Sequence, residues 1–412
     1  MSYVDMYIML TDTRYCVCWS VSYRREASAL LVQLRWAMRE PPIVGRATDK
    51  VLTLFYANLF TNGSRGVQIN MYVTAILMLL LLVSLLVSES NNYKGLCPFD
   101  KATTLPLRGL LALLILSHHL GQRTDIYPLS QFTSGIGLQI VAVFFFISGY
   151  GLCLSYVAKG RNYMNGFLQK RLGKLLPKFL LLTIGMMLVY QFYSSTDIGV
   201  QIVKITNGWT PLPHSWFIYA IIYVYVAFYL CALLAKSPKQ IGWSFTLTIV
   251  TYICFSSKVI RFPSYWYLTI ISVPLGYYTA LYEKKIDSFI RHRFVFYALL
   301  AALLFVSFCA MAKIRVPMVS LALTEVWILA QAFSVYAIIR TLGFLRWKWL
   351  CEIGVFSLEL YLIHGIPLMI GQHIGLDNWL LWLFTYAVSI PLALLLNRVY
   401  DMMIHPKKIL KA

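Results

Sequence analysis

Charge is scarce in this chain. Asp, Glu, Lys and Arg together make up 13% of its 412 residues, where a soluble domain carries about a quarter. Acidic groups are scarcer still, 16 against 36 Lys and Arg. The eight cysteines are scattered, mostly inside apolar segments, so neither a disulfide framework nor a zinc spacing can be read. Cys16 and Cys18 form a lone C-x-C, too little for a metal site. Heptads, solenoid repeats and nucleic-acid motifs are missing as well. These absences remove the ordinary soluble domain, the secreted disulfide scaffold, the zinc module and the coiled coil.

What fills the space is apolar: 59% of the residues are hydrophobic. They fall in runs of about twenty, the length that carries a helix across a bilayer core. Such runs lie near 71–88, 105–121, 135–157, 175–194, 215–235, 241–256, 265–282, 294–312, 318–339, 351–372 and 379–400. Several begin or end in Trp or Tyr, as in "HSWFIYAIIYVYVAFYL", which suits side chains anchored at the membrane interface. The reading is an all-α, polytopic transmembrane helical bundle of about ten core helices with one additional N-terminal helix.

The net charge of +20 records topology rather than a nucleic-acid partner. If the hydrophilic stretch 158–178 is cytoplasmic, alternation puts 89–104, 236–240, 283–293, 340–349 and 401–412 on the same side. Those six segments hold 20 Lys and Arg, and the five opposite segments hold 6. This is the positive-inside bias, and it places the C-terminus in the cytoplasm with the basic loops against anionic lipid headgroups.

Four regions follow: a polar extension over 1–70, an apolar anchor and loop over 71–104, the membrane domain over 105–400 and a basic tail over 401–412. The extension carries eight Lys and Arg and five Asp and Glu, and alternation would translocate it against the charge bias. Translation is therefore expected to begin at or near Met71; a native peptide from 1–70 would sink that expectation. No A-x-A-like site follows 71–88, which makes it an uncleaved anchor rather than a signal peptide.

Ionisable groups inside these runs are expensive and so are functional candidates. The stretch "LPLRGLLALLILSHHLGQ", residues 105–122, holds Arg108, His118 and His119. Eleven helical steps return His119 to within about 20° of the Arg108 face, roughly 16 Å along the axis, whereas His118 points about 80° away. Arg108 and His119 can therefore line one cavity. Glu325 and Glu359 also fall in apolar runs, each able to orient a histidine, contact a substrate hydroxyl or make a buried structural bond. His364 follows Glu359 by five residues, about 140° round a helix, so the two do not pair within it. Ser148 and Gly149 read as small packing residues. His214 reads as a loop histidine, and His292, His373 and His405 as surface residues.

The segment with Arg108 and His119 resembles the opening helix of the acyltransferase family 3 membrane proteins, whose signature is an arginine, ten residues and a histidine. Four further stretches resemble that family in order: "VAVFFFISGYGLCLSY", "FLQKRLGKLLPKF", "PHSWFIYAIIYVY" and "IGVFSLELYLIHGIP". The likeness covers about 100–400. The departures are Lys at two basic positions, the adjacent second histidine and the extra helix at 71–88. The resemblance implies transfer of an acyl group, typically acetyl, from acyl-CoA to a hydroxyl of a surface or lipid-linked carbohydrate, in a bacterial inner membrane and without a metal. It implies His119 as general base, Arg108 on a CoA phosphate or a developing oxyanion, and Lys170, Arg171 and Lys174 as holders of CoA phosphates, with a positive-inside stop signal as the other reading of that basic segment. His118, Glu325, Glu359 and His364 stand as secondary catalytic candidates. The alternative is a multi-pass transporter or flippase of a lipid-linked sugar, although no matched pair of broken helices marks a midplane transport site.

Overall fold

The computed structural model describes residues 63–89, 95–194, 198–206, 210–290, 293–313, 317–344 and 346–404. Most of the 1–70 extension, His292, His405 and the last eight residues of the basic tail lie outside them. Among the described residues every regular element is helical, as a bilayer requires of any segment that must satisfy its backbone internally. Residues 64–412 form one compact unit.

In chain order the helices are α1 (Gly63–Glu89), α2 (Lys101–Gly121), α3 (Leu129–Thr133), α4 (Gly137–Lys159), α5 (Phe167–Ser194), α6 (Ile198–Thr206), α7 (Trp216–Leu234) and α8 (Pro238–Phe255). They continue with α9 (Ser272–Leu281), α10 (Glu283–Ile290), α11 (Arg293–Lys313), α12 (Pro317–Leu342), α13 (Lys348–Val355), α14 (Ser357–Ile363), α15 (Gly365–His373) and α16 (Asn378–Ile404). Among the described residues seven helices are long and apolar enough to cross a membrane, and two bent pairs raise the number to nine. Apolar side chains such as Leu82, Leu181, Val306 and Leu395 point outward, where lipid is their natural solvent.

Four expected boundaries differ. Helix α1 starts at Gly63 and passes through Met71 without a break. The stretch 158–178 is not a loop: after a 3₁₀ turn at Gly160–Met164, α5 begins at Phe167 and takes up all the basic residues from Lys170 onward. Over 265–282 only Ser272–Leu281 is α-helix, preceded by a 3₁₀ turn after Pro263. The single helix expected over 351–372 is broken into α13, α14 and α15, with a bend of 64° between the first and the pair that follows. Pro367 has no N–H to return to the Ile363 carbonyl, which weakens the ladder where α14 passes into α15.

Two close crossings build the frame. At α4–α9, Gly149 lies against the Val273 carbonyl and Gly276 against the Phe146 carbonyl, with no room for a Cβ at either. At α2–α13, Gly109 meets the Leu350 carbonyl and Gly354 the Leu105 carbonyl in the same reciprocal way. Small residues let helix backbones touch where lipid supplies no hydrophobic drive for association. Ser148, beside the first crossing, turns its hydroxyl back to the Phe144 carbonyl at 2.9 Å.

Buried charge ties the remaining helices together. Lys178 on α5 pairs with Glu359 on α14, Asn397 on α16 donates to the same Oε1 at 3.1 Å, and the Tyr400 ring covers the ammonium at 4.1 Å. Arg340 on α12 donates to Asp287 on α10 and to the Cys97 carbonyl, both at 2.5 Å. Tyr150 on α4 donates to the neighbouring Glu283 at 2.7 Å.

Candidate active site

Helix α2 carries the site at both of its ends. Asp100 caps its N-terminus by accepting the Thr103 N–H at 3.0 Å, which holds the carboxyl below the usual carboxylate range. The helix then runs unbroken to Gly121, so Arg108 and His119 keep their shared face and their separation of roughly 16 Å. Helix α16 braces the far half: Tyr386 shares a 2.6 Å hydrogen bond with Ser117, and Trp382 Nε1 donates to Thr124 at 2.9 Å.

At that far end four imidazoles meet. His119 stacks on His214 with ring centroids 3.6 Å apart, and on His364 at 5.1 Å. His214 and His364 are 5.6 Å apart, and the His118 ring lies 4.8 Å from His119 at a tilt of 56°. His118 and His119 come from α2, His214 from the turn before α7 and His364 from the end of α14. Gly137 opens α4 so closely against His118 that a Cβ would overlap its imidazole. His214 sits in the turn before α7 with a left-handed φ of 61°, and the Tyr361 hydroxyl donates to its carbonyl. Gly365, just after His364, admits that turn: a Cβ there would come within 2.7 Å of Pro213 and 3.3 Å of the His214 ring.

The hydrogen bonds of the cluster are specific. His118 Nδ1 bonds the Thr133 carbonyl at 3.1 Å, and its Nε2 faces Gln122 Nε2 at 3.2 Å. His119 Nδ1 faces Gln122 Oε1 at 3.2 Å. His364 Nδ1 donates to the Tyr361 carbonyl at 2.7 Å, and its fully buried Nε2 has no partner among the described residues. No carboxylate bonds to any of these four rings among the described residues. His214 lies outside the membrane-length helices, and burial first, then its neighbours His364, Arg123 and His118, push it down to about 3. It is a neutral ring at ordinary pH.

The near end is cationic. Arg171, on the first turns of α5, donates to the Tyr163 hydroxyl at 2.7 Å and lies 5.5 Å from the Tyr225 ring centre. Arg108 is half-buried within reach of the Arg171 charge and of Tyr225, and among the described residues its guanidinium bonds only the Thr104 carbonyl of its own helix, at 3.4 Å. Neither guanidinium has a carboxylate partner among the described residues. Lys170 and Lys174 are exposed, with Lys170 reaching back to the Asn165 carbonyl at 3.1 Å.

The structure thus gathers His118, His119, His364 and the unexpected His214 at one end of α2, and Arg108 with Arg171 at the other. Glu359 is elsewhere, held by Lys178 and Asn397, which is the buried structural bond among its expected alternatives. Glu325 stands half-buried on α12 with both carboxyl oxygens unbonded among the described residues. His373 is exposed at the end of α15. Sequence reasoning missed Gln122 and His214. The first stands one turn after His118, in the stretch that drew attention to the histidines; the second follows the Pro-Leu-Pro of the turn before α7.

A bundle of membrane-length helices around one helix with histidines at one end and arginines at the other is a polytopic membrane protein with an internal polar site. The acyltransferase domain family matches residues 107–398, and the chain belongs to it: it is a membrane acyltransferase of family 3. No curated protein and no solved structure matched the chain. Family membership sets the transporter reading aside.

Proposed function

We propose that this acyltransferase moves an acyl group, acetyl in the first instance, from acyl-CoA to a hydroxyl of a surface or lipid-linked carbohydrate in a bacterial inner membrane. The observation that carries the reading is the pairing, at the two ends of α2, of two guanidiniums without carboxylates (Arg108 of α2 and Arg171 of α5) and a histidine cluster roughly 16 Å away. Two neighbouring cations with no carboxylate between them favour an anion, and a guanidinium fork matches phosphate. A pantetheine thioester held by its phosphates at Arg108 and Arg171 extends along the helix toward His119. Of the two roles open to Arg108, the phosphate contact fits this separation; an oxyanion at His119 is out of its reach.

At the other end, a hydroxyl attacks the thioester carbonyl while a ring nitrogen of His119 takes its proton. The tetrahedral intermediate collapses with loss of the C–S bond, and His119 returns the proton to the leaving thiolate. Free CoA thiol and an O-acyl sugar are the products. His364 offers its unpartnered Nε2 to an N–H or O–H of either substrate. The charge bias of the loops supports a cytoplasmic arginine end and C-terminus, with the donor entering from within and the acceptor from the outer face.

The test is transfer of labelled acetyl from acetyl-CoA to glycan in membranes bearing wild type or His119→Ala at equal levels. The expected result is transfer by wild type and a loss of about 100- to 10,000-fold in the variant. Undiminished transfer by His119→Ala would remove the assignment of the base.

A further inference from the structure

We infer that Gln122 and His118 set the tautomer of His119, leaving its Nε2 bare, and that both are positioning residues rather than reserve bases. The catalytic consequence rests on the proposed role of His119; the tautomer itself does not.

The chain of bonds starts from a group with no choice. The Thr133 carbonyl can only accept, so His118 Nδ1, 3.1 Å away, donates to it. His118 packs against Gly137 with no carboxylate bonded to it among the described residues, and in its neutral form the ring carries a single N–H. Its Nε2 is therefore an acceptor, and Gln122 Nε2 donates to it across 3.2 Å. That commits the amide oxygen to the other side, 3.2 Å from His119 Nδ1. A carbonyl oxygen only accepts, so His119 Nδ1 carries the proton and Nε2 keeps its lone pair. The orientation of an amide is ordinarily a matter of assignment; here the backbone carbonyl at the end of the chain decides it.

His364 obeys the same rule through the Tyr361 carbonyl, so its Nε2 is bare as well. An unconstrained imidazole in water favours the opposite tautomer, with the proton on Nε2. At His119 that form would donate where a base must accept. Gln122 does for this base what a carbonyl or carboxylate does for other working histidines: it holds the far nitrogen protonated and the ring in place. Its own exposure at the end of α2 means that substitutions there leave the packed interior untouched.

The experiment uses the full chain in nanodiscs with ring-¹⁵N-labelled histidine, the signals assigned by single histidine substitutions. His119 should be Nδ1-protonated in wild type, pass to the Nε2-protonated form in Gln122→Leu, and stay Nδ1-protonated in Gln122→Glu, which retains an acceptor. A structural role alone would not separate Leu from Glu in this way. An Nε2-protonated His119 in wild type, or no change in Gln122→Leu, would overturn the inference. In the acetyl-transfer assay Gln122→Leu should lose about 10- to 100-fold in kcat with the KM for acyl-CoA unchanged, as loss of an outer hydrogen bond to a working histidine does. A tautomer switch with wild-type kcat would overturn the catalytic part. If the wild type transfers no acetyl, the functional proposal fails, while the spectra still decide the tautomer.

Discussion

The rings of His119 and His214 stack with centroids 3.6 Å apart and planes 26° from parallel. The contact joins a helix end to a turn nearly a hundred residues later, and the Tyr361 hydroxyl and Gly365 hold the turn in place. His214 covers one face of His119 and limits its rotation. His214→Asn keeps a residue that tolerates the left-handed backbone but removes the ring. An aromatic contact contributes about 0.5–1.5 kcal/mol, so kcat should fall about 2- to 10-fold with protein level unchanged. Unaltered kcat would show that the stack does not position His119.

The same substitution should flatten the acid dependence of stability. In the folded protein His214 sits at about 3, whereas in the unfolded chain it returns to about 6.5. Between those values the unfolded state binds the extra proton, so stability rises with pH. It is fully present above about pH 6.5 and drains away as pH falls toward 3, at up to about 1.4 kcal/mol per pH unit for one proton. Thermal unfolding of the detergent-solubilised protein between pH 4 and pH 7 should show a shallower slope in His214→Asn than in wild type. Equal slopes would mean that His214 does not stay neutral in the fold.

Lys178, Glu359 and Asn397 knit three helices beneath the site. Removing one member of a buried pair strands the other, at a cost of about 3–5 kcal/mol, whereas replacing both by apolar residues is often neutral. Glu359→Leu and Lys178→Met should each lower the unfolding temperature steeply, and the double substitution should recover most of the loss. If Glu359→Leu abolished transfer in protein of wild-type stability, Glu359 would belong to the chemistry after all.

At the α4–α9 crossing the backbones touch at Gly149 and Gly276. Neither neighbour can yield, because each is a main-chain carbonyl. Gly276→Val should push the helices apart and destabilise the protein by at least the about 1–3 kcal/mol of an overpacked core. Substitution at Gly151, which has open space around it, provides the control. Equal melting temperatures for the two variants would remove the crossing as a structural determinant.

The membrane architecture was legible in composition and run length, because twenty apolar residues have few other uses. The register of Arg108 and His119 was legible too, since helical periodicity alone sets it. What escaped depends on contacts far apart in sequence. His214 reads as a loop residue because its place is decided by Tyr361, 147 residues away. Lys178 counts as one more basic residue in a charged stretch until α5 is seen to begin at Phe167 and turn it toward Glu359. The helix expected through Glu359 and His364 overlooked Pro367, and with it the break that places His364 between two helices.

Arg108 and Arg171 give the sharpest test of where the donor binds. They lie close enough to repel, and only a bound anion turns that repulsion into attraction. A hydrogen bond between a guanidinium and phosphate contributes about 1.5–3 kcal/mol, so Arg108→Gln and Arg171→Gln should each weaken acyl-CoA binding by about 10- to 100-fold. Apo Arg108→Gln should be unchanged or slightly more stable, because a repulsive pair has been relieved, whereas Arg171→Gln also gives up the bond to Tyr163 and the contact with the Tyr225 ring. Lys170→Gln and Lys174→Gln concern exposed charges screened by water, for which less than about fivefold is expected. Titration with CoA and with dephospho-CoA, at two salt concentrations, separates a specific phosphate contact from diffuse attraction. Binding that responds to the lysines and not to the arginines would move the donor's phosphates to the surface of α5 and leave the half-buried cation pair without its ligand.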